Sequence, residues 1–268
     1  MTLTTFIAWL CAAITFGTII MFGSVGEILT EKSGNLNLGV PGIMYLGAIA
    51  SLAGAFFYEN GNPAPVPWVG ALISLLCALG ASLIGGLIYS FLTVTLRANQ
   101  NVTGLTLTIF GGGVANFFGG SLVKLSGGVG QISVGTTSSA VRAQIPFLST
   151  AFGPVSTLLF SYGFLAYLAV VIALIAHWVL NKTRVGLNLR AVGESPATAD
   201  AAGIDIEKYK YLATVIGGGI SAKRGVDASA ENTGNSNTLG TGAAMSLAAK
   251  ANSIAAGVAV SVNQNQAT

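Results

Sequence analysis

The segment WVGALISLLCALGASLIGGLIYSFLTVTL (residues 68–96) contains no Asp, Glu, Lys, Arg or Pro. A transmembrane helix needs about 20 mainly apolar residues, so this segment is long enough to cross a bilayer. Charge-free runs of similar length recur at 1–26, 33–58, 98–123 and 143–181. Only 8% of the residues are charged, against about 25% in a globular domain. The sequence therefore predicts an all-α fold, a polytopic transmembrane bundle of about five to six spans.

The predicted helices cover 3–28, 38–58, 68–96, 102–123 and 154–180, and a sixth helix begins at Tyr211. The Gly-, Ser- and Thr-rich segment 124–152 is predicted to be an outside loop, with a partly re-entrant path as the alternative. Basic residues concentrate in loops on the cytoplasmic side. The segment 182–210 carries five of them and is therefore placed inside. Loops 29–37 and 97–101 then also lie inside, whereas the amino terminus and loop 59–67 lie outside.

Small residues recur at four-residue spacing on two predicted helices. Residues four apart share one helix face, and small residues let membrane helices approach closely. Plain helix packing is favoured for both stripes, and a polar passage beside Asn116 is the alternative. An amide in hydrocarbon needs a partner, so Asn116 is expected to meet another helix or water. The stripes are Ser74, Ala78, Ser82, Gly86 and Ser90 on the third helix, and Thr108, Gly112, Asn116 and Gly120 on the fourth.

The second helix begins with a broken pattern at residues 35–42. Pro41 lacks an N–H group and restricts Val40 to extended geometry, so the helix restarts here. Transporters place interrupted helices where backbone groups face the substrate. A simple helix start at the membrane interface explains the pattern equally well, and both interpretations stay open.

The sequence lacks the residues that several kinds of chemistry require. One histidine and two separate cysteines inside apolar runs give neither a metal cluster nor a disulfide framework. No phosphate-binding Gly-x-x-x-x-Gly-Lys-Ser/Thr motif occurs. No charged residue lies in the middle of a predicted span, where an ion-coupled mechanism usually needs one. We therefore expect no catalytic residue and no bound cofactor, and energy for active transport must come from a partner.

The segment 189–204, LRAVGESPATADAAGI, contains residues that are typical of helix starts and helix ends. Ser195 followed by Pro196 is typical of an N-cap and a first helical position, and Gly203 is typical of a helix stop. A short helix is therefore predicted at 196–202. It is interpreted as a docking element, with a plain loop helix as the alternative.

At these residues the sequence resembles the permease of bacterial ABC importers, whose coupling loop carries an acidic-Ala-Ala-x-x-x-Gly type motif, here at 200–203. Residues 190–196 through Ile204 resemble the branched-chain amino acid and ribose permease family. Residues 31–44 are similar to its nucleoside-type, simple-sugar-like branch, although that branch usually has an acidic residue where Pro41 stands. Residues 96–105 also fit.

The resemblance implies a permease subunit that forms the route for a nucleoside or related small polar solute. Simple sugars and branched-chain amino acids are the alternative cargoes, and a passive channel or a non-functional truncated membrane protein is the alternative of another class. The implied partners are ABC ATPase subunits that use the ATP, a second homologous permease and a substrate-binding protein or lipoprotein, and nucleic acid is not among them. The implied location is the bilayer of the bacterial cytoplasmic membrane.

Two sets of candidate residues follow, in a chain divided at residue 221. The domain 1–221 is the transmembrane permease, with its coupling loop at 182–210, and 222–268 is a low-complexity tail outside the fold, as in a truncated or frame-shifted end. The ATPase-coupling candidates are Arg190, Gly193, Glu194, Asp200, Ala201, Ala202 and Gly203. The translocation-pathway candidates are Asn35, Asn37, Pro41, Asn99, Gln100 and Asn116, of which the asparagines at 35, 37, 99 and 116 are expected to point into the bundle.

Overall fold

A computed structural model describes residues 3–125, 132, 134–141 and 162–222 of the chain. This part is helical and contains no strand, which confirms the all-α prediction. The helices are α1 Leu3–Lys32, α2 Val40–Gly61, α3 Pro67–Ser90, α4 Gln100–Leu125, α5 Gly135–Val141, α6 Phe164–Lys182, α7 Arg184–Glu194, α8 Pro196–Ala201 and α9 Ile206–Ser221, and a π-helical turn at Phe91–Thr95 extends α3.

Five of these helices are long and apolar enough to cross a membrane, as the charge-free runs predict. They are the spans Trp9–Lys32, Val40–Gly61, Pro67–Thr95, Gln100–Leu125 and Phe164–Lys182. Large apolar side chains such as Ile109 and Phe117 are about 70% exposed on the bundle surface, where lipid covers them. The chain is therefore a multi-pass membrane protein.

Some helix boundaries differ from the predicted ones. Helix α1 continues to Lys32, four residues beyond the predicted end, and the Thr30 hydroxyl donates to the Gly26 carbonyl inside this extension. Helix α7 is missing from the predicted set. Helix α9 begins at Ile206 rather than Tyr211, because the Asp205 carboxylate caps it by accepting the Lys208 N–H at 3.0 Å.

The predicted stripe on α3 is a packing surface. All five of its small residues are buried. The Ser74 hydroxyl is hydrogen-bonded to Ser51 of α2 at 2.6 Å, and the Ser82 hydroxyl donates to the Ile43 carbonyl at 3.3 Å. Gly86 lies against the backbone of α9. The hydroxyls thus find partners on the neighbouring helix, as helix packing in a bilayer requires.

The predicted packing of the stripe on α4 is seen only at Thr108, whose hydroxyl donates to the Leu38 carbonyl at 2.9 Å. Gly112, Asn116 and Gly120 lie on the outer side of α4, and the space beside both glycines is open in the described part of the chain. Helix α4 packs on α2 through the adjoining face instead, where Gly111 lies against the Gly42 backbone. Two neighbouring faces of α4 carry small residues, and the close approach at Gly42 selects one of them.

The charge pattern places three connections between helices on the same side of the membrane, and the structure brings these connections together at one end of the bundle. The Gln100 side chain, at the start of α4, accepts the Leu36 N–H at 2.9 Å. The backbone of Gly34 lies against that of Gly193, at the end of α7. The connections after α1, α3 and α6 therefore share one end, which we call the link end. The side of the membrane on which it lies stays a prediction.

The opposite end collects the connections that are predicted to lie outside. The Glu59 carboxylate, at the end of α2, accepts the Thr137 N–H of α5 at 2.6 Å. The rings of Trp68 and Phe164, at the starts of α3 and α6, have centroids 6.1 Å apart. The proline-rich connection between α2 and α3 therefore lies at the same end of the bundle as α5.

Candidate functional site

Residues 33–39 interrupt the helical path between α1 and α2, and we call them the α1–α2 link. They form turns and irregular backbone, with Gly34 in the left-handed region at φ +82°. Helix α2 then begins with Pro41 in its first turn. A chain that leaves helical geometry must find other partners for its backbone groups.

The backbone of the link is hydrogen-bonded by side chains from three helices. The Leu36 N–H donates to Gln100, and the Leu36 carbonyl accepts the Tyr89 hydroxyl at 2.5 Å. The Asn37 N–H donates to the Glu27 carboxylate at 2.9 Å. Tyr89 is fully buried. The link is therefore fixed in place by α1, α3 and α4 together.

The side chain of Asn35 is hydrogen-bonded within this network. It is 1% exposed, its amide oxygen accepts from Gln100 at 3.3 Å, and its amide nitrogen donates to the Thr214 hydroxyl at 3.4 Å. The Thr214 hydroxyl in turn donates to the Lys210 carbonyl of α9. The pathway candidates Asn35 and Gln100 thus contact each other and connect the link to α9.

Asn37 lies at the other side of the link and is 3% exposed. Its amide oxygen accepts the Gly39 N–H at 2.9 Å, which forms a local Asx turn before α2. The pathway candidate Pro41 follows the link in the first turn of α2 and is half-buried. Sequence and structure agree that both asparagines are inside the bundle.

Asn99 and Asn116 do not join this cluster. Asn99 is exposed, and its side-chain oxygen caps α4 by accepting the N–H groups of Asn101 and Val102 at 3.0 and 3.3 Å. Asn116 is exposed on the outer face of α4. Within the described part of the chain, Asn99 satisfies a helix end and Asn116 lies away from the face of α4 that α2 covers, so their place beside the pathway stays a prediction.

Three residues of the cluster have no role in the sequence-based prediction. Glu27 lies in the last two turns of α1, and a lone acidic residue after 26 uncharged positions is the signal that could have drawn attention to it. Tyr89 and Thr214 carry no such signal. Their partners lie 53 and 179 residues away in the sequence, so only the fold brings them together.

The predicted docking helix is present as α8, Pro196–Ala201, and Gly203 follows it with φ +79°. Ser195 is the N-cap residue and Pro196 lies in the first turn, as predicted, but the Ser195 hydroxyl is hydrogen-bonded to the Thr198 hydroxyl at 2.7 Å and not to a backbone N–H. Ala199 is buried and anchors the helix. We call residues 184–203 the α7–α8 loop.

The coupling candidates lie mainly on the free surface of the α7–α8 loop. Arg190 and Gly193 are half-buried, and no other group of the described chain bonds the buried Arg190 Nε. A Cβ atom added to Gly34 would lie 3.2 Å from the Gly193 Cα atom, so the link and the loop touch through their backbones. The exposed candidates are Glu194, Asp200, Ala201, Ala202 and Gly203.

The described part of the chain is thus a multi-pass helical bundle with a polar cluster at the α1–α2 link and an exposed α7–α8 loop. The model of the branched-chain amino acid transport system permease component family matches residues 10–262, and the chain belongs to this family. The match runs beyond Ser221 into residues outside the described part, so the predicted boundary at 221 stays a prediction. No solved structure matches the chain.

Several curated relatives are named as ABC transporter permeases. The chain is 30% identical to a putative glucose permease of Haloferax volcanii over 80% of this chain and 60% of the relative. It is 30% identical to a guanosine permease of Bacillus subtilis over 77% and 62%, and 31% identical to a nucleoside permease of Lactococcus lactis over 76% and 61%. The chain spans about three fifths of the length of these relatives.

Proposed function

We propose that this chain is a permease subunit of an ATP-driven importer for a nucleoside or a related small polar solute. The observation that carries the proposal is the contact between the exposed α7–α8 loop and the α1–α2 link, through Gly193 and Gly34. An exposed short helix offers a docking surface, and the link contributes polar groups inside the bundle.

The chain itself performs no catalysis and binds no cofactor in this proposal. Separate ABC ATPase subunits hydrolyse the ATP, dock on α8 and move the α7–α8 loop. A helix of six residues is too short to be stable alone, so a partner surface would hold it. Because Gly193 packs against the Lys32 and Gly34 backbone, a displacement of the loop must displace the link. The second homologous permease and the substrate-binding protein complete the transporter, in the bacterial cytoplasmic membrane.

The cargo assignment follows the relatives that carry guanosine and nucleosides in their names. A simple sugar is the alternative, because glucose permeases have similar sequences; a branched-chain amino acid comes after it. A passive channel would have no need of the exposed loop.

The test reconstitutes the chain with the second permease, the ATPase subunits and the substrate-binding protein of the transporter, and measures ATP-dependent uptake of radiolabelled uridine. Ala202→Glu places a bulky charge on the exposed surface of the loop, and Ala64→Glu makes the same change at an exposed position of the opposite end. We expect A202E to lose both ATPase co-purification and uptake, whereas A64E keeps the ATPase. Uptake without ATP would favour the channel, and ATPase retention by A202E would remove α8 as the docking element.

A further inference from the structure

The α1–α2 link contains one buried donor and one buried acceptor that have no hydrogen-bond partner in the described part of the chain. They are the Asn37 amide nitrogen Nδ2 and the Glu27 carboxyl oxygen Oε2. The other side-chain oxygens are occupied, since Glu27 Oε1 accepts the Asn37 N–H and Asn37 Oδ1 accepts the Gly39 N–H, both at 2.9 Å. Glu27 is therefore bonded to the Asn37 backbone, and each of the two side chains keeps one free atom.

Such a pair is unusual, because a buried polar group without a partner is costly and most are satisfied. The other polar groups around the link, at Asn35, Leu36 and Gln100, find partners within the network. A Cβ atom on Gly39 would lie 3.0 Å from the Leu107 side chain and 3.2 Å from the Gly104 carbonyl. The backbone at this point is thus closely packed, and the pair is held in place.

The chemistry of the pair selects its ligand. A hydroxyl group can donate to a carboxyl oxygen and accept from an amide N–H at the same time. A metal cation prefers oxygen ligands and would meet N–H groups on Asn37. The carboxylate of an amino acid would lie beside the Glu27 carboxyl in a site of low dielectric, where like charges disfavour each other.

We propose that Glu27 and Asn37 form a subsite for a hydroxyl group of the sugar ring of the cargo. The hydroxyl donates to Glu27 Oε2 and accepts from Asn37 Nδ2. This inference rests on the proposed function and narrows it to neutral, sugar-bearing solutes. It also places the cargo next to the link that contacts the α7–α8 loop. The cargo site and the loop on which the ATPase docks therefore share one short segment.

The experiment compares uridine with 2′,3′-dideoxyuridine, which lacks the two ribose ring hydroxyls, and with leucine. Ligand-induced thermal stabilisation of the purified full chain measures binding, and uptake by the reconstituted transporter measures transport. The variants are Glu27→Gln and Asn37→Leu, and Glu31→Gln is the matched control at an exposed position one turn further along α1. We expect the affinity for uridine to fall roughly 10- to 100-fold in E27Q and N37L, as for loss of a hydrogen bond to a charged group, and to stay unchanged in E31Q.

The hydroxyl dependence separates a subsite from a structural role. The wild type should bind dideoxyuridine more weakly than uridine, and E27Q and N37L should weaken dideoxyuridine binding no further. Equal losses for uridine and dideoxyuridine, or wild-type binding of leucine that E27Q abolishes, would overturn the subsite. If uptake of uridine is absent while hydroxyl-dependent binding persists, the proposed function fails and the subsite stands. If uptake is present and E27Q leaves the uridine preference intact, the subsite fails and the proposed function stands.

Discussion

The α1–α2 link and the α7–α8 loop touch through Gly34 and Gly193, yet the two segments are built in opposite ways. The polar side chains of the link are buried, with Asn35 and Asn37 at 1% and 3% exposure. Those of the loop face outward, and Glu194, Asp200 and the residues after α8 are exposed. The link is thus stabilised by the bundle, whereas the loop offers its surface to something outside this chain.

This difference indicates how the two segments should respond to substitution. A change in the link removes an internal hydrogen bond or creates a clash, so it should lower the stability of the chain. A change on the free surface of the loop should leave stability intact and act on partner binding. The contact at Gly193 belongs to both segments and should affect both properties.

The largest effect is expected from Gly193→Val. A side chain at this position would clash with the Lys32 carbonyl and press on the Gly34 backbone, which cannot move aside as a flexible side chain would. We expect a loss of about 3 kcal/mol in the free energy of unfolding, measured by SDS titration in detergent micelles. Ala197→Val, on the exposed face of α8, is the control and should cost about 0.5 kcal/mol. A stable G193V chain with full uptake would show that the contact is dispensable.

A smaller effect is expected from Tyr89→Phe. This change removes the donor to the Leu36 carbonyl, which then has lost its partner from α3. Because a buried unsatisfied group costs about 1–3 kcal/mol, we expect a loss of about 2 kcal/mol in the same titration. The matched control is Tyr58→Phe at the opposite end, where the hydroxyl accepts the exposed Val66 N–H at 3.2 Å and water can replace it. Equal losses in the two variants would mean that the link has no special dependence on its side-chain partners.

The spans were predictable because absence of charge over about 20 residues is a local property of the sequence. The packing faces were only partly predictable. On α3 the predicted small stripe is buried, whereas α4 offers small residues on two adjoining faces, and its partner α2 decides between Gly111 and Gly112. Four-residue spacing identifies a smooth face, and it does not identify the helix that covers it.

The residues of the candidate site were also only partly predictable from the sequence. Asn35 and Asn37 could be predicted from the cost of burying amides in hydrocarbon. Thr214 could not, because its partner Asn35 lies 179 residues away and no local pattern links them. Glu27 was assigned to a helix end without a role, since the pairing with Asn37 depends on how the link folds back beside α1. Side-chain partners across an irregular segment are set by the fold.

The smallest effect on stability is expected from Asn99→Ala. The residue precedes α4 at the link end and was predicted to border the pathway, but its side chain caps α4 through the Asn101 and Val102 N–H groups. Loss of a cap costs about 1 kcal/mol, so SDS titration should detect this decrease while ATP-driven uridine uptake per folded chain stays at the wild-type value. Asn101→Ala is the matched control: it removes an exposed amide two residues further along without removing the cap, and the stability of this variant should change by less than about 0.5 kcal/mol. The opposite pattern, unchanged stability with reduced uptake in N99A alone, would return Asn99 to the pathway, because a residue that only caps a helix affects folding and has no reason to discriminate cargo.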